Sequence, residues 1–140
     1  MDSSTEIFDA DVAALADLAR EFGHHAGRLR FAGVAPDHAH RAITVYRVPD
    51  PGWDSEVLRL LQSDVAVHLA DAVHTRDELL VARERVWELS GEIAISAISI
   101  PVDGTVLAVF ADDSVESVQA ELDRVVPGLA TVSPAGADAL

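Results

Sequence analysis

Three observations predict an α+β fold, with antiparallel sheet covered by helices on one face. Short β-branched runs alternate with helical stripes, glycine, proline and aspartate mark the junctions, and the order hairpin, helix, strand occurs twice. The chain has 140 residues, 49% of them hydrophobic, which is enough for one domain with a real core. The expected organisation is an N-terminal helical segment over residues 1–27, a single α+β domain over 28–134 and a flexible tail over 135–140.

In residues 9–22, Val12, Leu15, Ala19 and Phe22 recur three and four apart, the stripe of an amphipathic helix. Asp9 or Asp11 serves as its cap, and Gly23 and Gly27 stop it. The period then changes. Residues 28–35 (RLRFAGVA) alternate and residues 42–48 (AITVYRV) are β-branched and aromatic, so the two read as a hairpin across the polar residues 36–41. Residues 49–52 break the strand. Asp54 is the expected cap of a short helix reaching Gln62, with Val57, Leu60 and Leu61 inward, and residues 65–69 (VAVHL) form a short strand.

Thr75 and Glu78 form a capping box ahead of the stripe Leu79, Ala82, Val86 and Leu89, and Gly91 ends that helix. In residues 93–100 (IAISAISI) the isoleucines change phase between Ile95 and Ile98, which predicts a bulge or a strand buried on both faces. Asp103 and Gly104 supply a tight turn into residues 106–110. Asp113 and Glu116 make a second capping box, with Val115, Val118, Leu122 and Val125 inward, and residues 129–132 are a last strand. The repetition hints at an internal duplication, and residues 64–134 by themselves follow the ferredoxin-like order.

Phe31, Ala32 and Gly33, then Asp37 and the strand residues Ile43, Val45 and Val48, resemble the opening hairpin of prodomains from bacterial serine proteases of the α-lytic protease and streptogrisin type. The resemblance spans residues 31–69. It implies a recurring hairpin, helix and strand unit and a role as folding catalyst and inhibitor of a protease. For a chain with no expected export signal or protease domain, it implies a free-standing interaction module.

Charge narrows the partners. Twenty-four acidic residues stand against ten basic ones, all arginine, for a formal charge of −14. No positive field exists to neutralise phosphates, so neither nucleic acid nor an anionic membrane is an expected partner. With no cysteine there is no disulfide, thiolate nucleophile or sulfur-ligated metal. The acidic residues 1–11 do not read as a secretory signal, and no apolar run approaches the roughly 20 residues that span a bilayer. A cytoplasmic location is expected.

Candidate chemistry centres on the histidines. Asp37, His38 and His40 carry a His-x-His spacing that puts two rings on one side of a strand, as metal ligands require, although solvated turn residues are the blander reading. His24 and His25 suit the negative end of the first helix. His68, with Asp71 and His74 close behind it at a strand end, is the best candidate for general acid–base catalysis, against a half-buried packing histidine. Tyr46 and Trp53 suit the wall of a small-molecule pocket, while core packing is the simpler account of Trp53 and Trp87. No phosphate loop, dinucleotide motif or nucleophile elbow is present, and no cofactor is expected.

The expected function is therefore a non-catalytic module that binds a protein or peptide through an exposed sheet edge. The alternatives are a small ferredoxin-like enzyme or ligand-binding protein using the His/Asp cluster, and a self-associating structural subunit such as a homodimer.

Overall fold

A computed structural model describes residues 3–135, with side chains from residue 11 onward. The expected tail thus lies, apart from Ala135, outside the described residues, as does the side chain of Asp9. The fold is α+β and divides into two compact units. The first gathers the chain up to Arg76 with Val102–Gly104, and the second gathers Asp77–Pro101 with the residues from Thr105 onward.

The first unit runs α1 (Ser3–His24), β1 (Phe31–Asp37), β2 (Ala42–Arg47), α2 (Pro51–Leu60) and β3 (Ala66–Asp71). β1 and β2 are an antiparallel hairpin, and the crossover through α2 brings β3 in parallel to β2. Alternation along β2 sends Ile43, Val45 and Arg47 to the helix side and leaves Thr44 and Tyr46 on the other. Val12, Leu15, Ala16 and Ala19 of α1 meet Val34, Ile43 and Val45 of the sheet and Trp53, Val57 and Leu61 of the α2 segment in one core. Trp53 is 9% exposed, and its indole N–H donates to the carbonyl of Gly27 at 2.8 Å. At Gly23 any side chain would run into the ring of Phe31, so glycine is what lets α1 lie close to β1.

The second unit repeats the order: α3 (Arg76–Trp87) with a 3-10 turn (Glu88–Gly91), β4 (Ile95–Ser99), β5 (Leu107–Ala111), α4 (Val115–Val125) and β6 (Ala130–Pro134). Again the hairpin is antiparallel and the third strand is parallel to the second. Its core joins Leu79, Ala82 and Val86 to Leu107, Val109, Val118, Leu122 and Val132. The duplication extends to register. In the first hairpin a shift falls between Phe31 and Gly33, and Val34 pairs with Val45; 64 positions on, a shift falls between Ile95 and Ala97, and Ile98 pairs with Val109. The isoleucine phase change thus marks a real bulge.

Several expectations need correction. The sheets are mixed, because a helix rather than a tight turn precedes each third strand. β3 belongs to the first sheet, so no four-stranded ferredoxin-like sheet forms around residues 64–134. β1 starts only at Phe31, and Leu29 is 78% exposed in the preceding turn. Asp11 does not cap α1 but lies within it. Asp50, not Asp54, caps α2, accepting from the backbone N–H groups of Gly52 and Trp53 with Pro51 in the first turn. Asp113 does not cap α4: its carboxylate accepts the N–H of Ala94 at 2.9 Å, and Ser114 holds the cap position without a side-chain bond. Asp103 and Gly104 sit in a longer connection, where Gly104 has φ +67° and its carbonyl accepts the N–H of His74 at 2.9 Å. Among the described residues no helix is long and apolar enough to cross a membrane.

Candidate functional site

Each three-stranded sheet ends in two strands with one side of the backbone unpaired, namely β1, β3, β4 and β6. The four edges are treated differently. On β6 the Gln119 amide, reaching from α4, accepts from the N–H of Val132 at 3.0 Å and donates to the carbonyl of Ala130 at 3.1 Å. That side chain occupies the places an incoming strand would take. β1 ends in Pro36, which has no N–H to donate, and Asp37, whose carboxylate opposes the desolvation an added strand would impose. β3 carries His68 and Asp71. β4, with the sequence ISAIS, has no charge and no proline, and Ser96, Ala97 and Ser99 are exposed. Its register shift lies at its start and Pro101 comes two residues after its end, leaving residues 97–99 as a short, regular, uncharged edge.

Beside the start of β4, Glu92, Ile93, Asp113, Ser117 and Glu121 line an open groove of about 470 Å³. The Arg124 guanidinium pairs with Glu121, holding that carboxyl below its ordinary range and raising its own pKa in turn. Asp113 and Glu92, whose charge also acts on Arg124, complete the acidic lining.

Of the residues singled out for catalysis, His68 and Asp71 fall on opposite faces of β3. His68 is exposed on the face of the sheet away from the helices, opposite Thr44. Asp71, three positions on, falls on the helix side and accepts from Arg47 Nη1 at 2.7 Å. His74 lies beyond the strand, held through its backbone by Gly104. The same alternation separates the two expected pocket walls, with Tyr46 on the open face and Trp53 in the helix-side core. Of the expected metal ligands, Asp37 and His40 meet, with His40 Nδ1 and Asp37 Oδ2 2.8 Å apart, and this hydrogen bond lowers the pKa of Asp37. Among the described residues no three His, Cys, Asp or Glu side chains gather as ligands would.

Two residues escaped the sequence reading. Arg47, 8% exposed, bridges α2 and β3, with Nε donating to Asp54 Oδ1 at 2.8 Å and Nη2 to Asp54 Oδ2 at 2.7 Å. The available signal was an arginine on the core-facing parity of Ile43 and Val45. Hydrogen bonding by Arg47 holds the Asp54 carboxyl below its usual value against the opposing effect of burial, and the arginine is raised further into its charged form. Gln119 is the second, and no local pattern marks a glutamine that will reach across to a strand edge. Neither a protein-family model nor a curated protein sequence matches this chain.

Proposed function

We propose that this protein is a non-catalytic module that takes up an extended segment of another protein or peptide along the free edge of β4. The observation that carries the reading is the contrast between β6, whose outward Val132 N–H and Ala130 carbonyl are bound by Gln119, and β4, an edge strand whose sequence has neither charge nor proline. An added strand gains main-chain hydrogen bonds there, and the exposed Ser96, Ala97 and Ser99 present little bulk against it. His68 and Asp71 alternate onto opposite faces of β3, so the pair lends the enzyme alternative less support than the free edge lends this one. The resemblance of residues 31–69 to protease prodomains points the same way, toward an accessory role as chaperone or inhibitor.

The test uses an alternating threonine–valine peptide of about eight residues, with and without N-methyl groups on every second amide. Bound at about ten times its Kd, the plain peptide slows amide hydrogen exchange at residues 97–100 about tenfold. The methylated series, which keeps every side chain but loses strand hydrogen bonds, leaves exchange unchanged in at least one phase. Equal protection by all peptides, or none by any, overturns the reading.

A further inference from the structure

We infer that Ile98 is the residue that selects the docked segment, favouring one with β-branched apolar side chains at every second position; this rests on the strand-addition reading above. Main-chain bonds fix which groups of the sheet face outward. The N–H of Leu107 donates to the Leu129 carbonyl at 2.8 Å, and the Ala111 carbonyl accepts from the N–H of Ala135 at 2.9 Å. Leu107, Val109 and Ala111 therefore turn their main-chain groups toward β6, and Ala108 and Phe110 turn theirs toward β4. There they meet Ser99 and Ala97, so the N–H and carbonyl of Ile98, between those two, point to the free edge.

Side chains follow the same alternation. Ile98 lies opposite Val109 on the helix side and packs against the core with Ile100, yet both isoleucines stay half-buried. At the other edge, Ala130 and Val132 of β6 belong to that core and are each 6% exposed. The core is closed along β6 and open along β4. In a strand paired with Ile98, the opposite residue puts its side chain on the helix side, where valine or isoleucine covers the exposed part of Ile98 and a polar side chain gives up water. Its neighbours fall beside the exposed Ala97 and Ser99, which offer little apolar surface. Selection is thus for alternation, not for hydrophobicity throughout.

Net charge decides between a foreign segment and a second copy. Each chain carries a formal charge of −14, so repulsion opposes the joining of two copies through β4 at ordinary ionic strength. A segment of low charge from another protein does not meet that opposition.

The experiment compares the threonine–valine peptide with an all-threonine peptide of the same length, because threonine keeps the branched shape of valine and replaces a methyl group by a hydroxyl. Titration of the dye-labelled peptides should show about tenfold tighter binding of the threonine–valine peptide. Amide exchange should slow at Ile98 and change little at Ala97 and Ser99, whose main-chain groups are already paired with β5. Ile98→Thr should reduce the preference to about twofold or less, and Ile98→Val, which removes one methyl group, should lower it by about half. A thermal melt establishes that each variant is folded. Equal binding of the two peptides, with Ile98 protected, overturns selection by Ile98 and leaves the edge reading standing. A preference undiminished in both variants assigns it to another surface and overturns the inference. Protection by neither peptide overturns both readings. Protection of Ile98 that rises with protein concentration in the absence of peptide assigns the edge to a second copy and overturns the foreign segment.

Discussion

Arg47 grips Asp54 through two parallel hydrogen bonds of 2.8 and 2.7 Å, tying the end of β2 to the first turns of α2. A third bond, from Nη1 to Asp71 at 2.7 Å, adds the end of β3, so one nearly buried side chain fixes three elements of the first unit. At the matching position of the second unit, 64 residues on, stands the buried Ala111, one of the apolar residues of that unit's core.

Removing Arg47 strands a half-buried carboxylate. Arg47→Ala should lower unfolding stability by about 2–3 kcal/mol in urea titration, while Asp71→Ala, whose side chain is 80% exposed, should change it by less than about 0.5 kcal/mol. Equal effects of the two substitutions would show that Asp54 is not the principal partner.

The same pair sets an acid limit. Folding lowers the pKa of Asp54 below its ordinary 3.8, so the carboxylate form is favoured in the folded state. Its contribution is complete above pH 3.8 and is lost as pH falls through the lower, folded value. Asp54→Asn should therefore be less stable than the parent near neutrality and converge with it in strong acid. Parallel stability curves would contradict this linkage.

Gln119 guards β6. Gln119→Leu should speed amide exchange of Val132 and cost about 1 kcal/mol, because the outward N–H and the Ala130 carbonyl then depend on water. Unchanged exchange at Val132 would show that the cover contributes nothing.

Trp53→Phe deletes the donor to Gly27 while keeping most of the buried ring. A loss of about 1 kcal/mol is expected, since the shortest bond to that carbonyl is removed while the longer ones from the Arg30 and Phe31 N–H groups, both 3.3 Å, remain. Unchanged stability in Trp53→Phe would show that the bond to Gly27 contributes nothing.

Much of the fold was legible locally. The stripe Val12, Leu15, Ala19 became the buried face of α1, and the phase change from Ile95 to Ile98 became a bulge. The errors arose where two residues competed for one role. Asp50 followed by Pro51 is the stronger helix start, which leaves the Asp54 carboxylate to Arg47. Strand direction and sheet membership depend on where α2 and α4 carry the chain, and no local pattern encodes that. The candidate site was legible only as residues 93–100, an uncharged apolar run. Its freedom depends on what α4 covers and what it leaves open, a relation between distant segments.

Amide hydrogen exchange at residues 97–100, with and without the plain threonine–valine peptide, tests the central claim most directly. Slowed exchange confined to β4, and abolished when the peptide's strand-forming amides are methylated, is the result expected of an added strand. Protection on β3 or on the helices, with β4 unaffected, would contradict it.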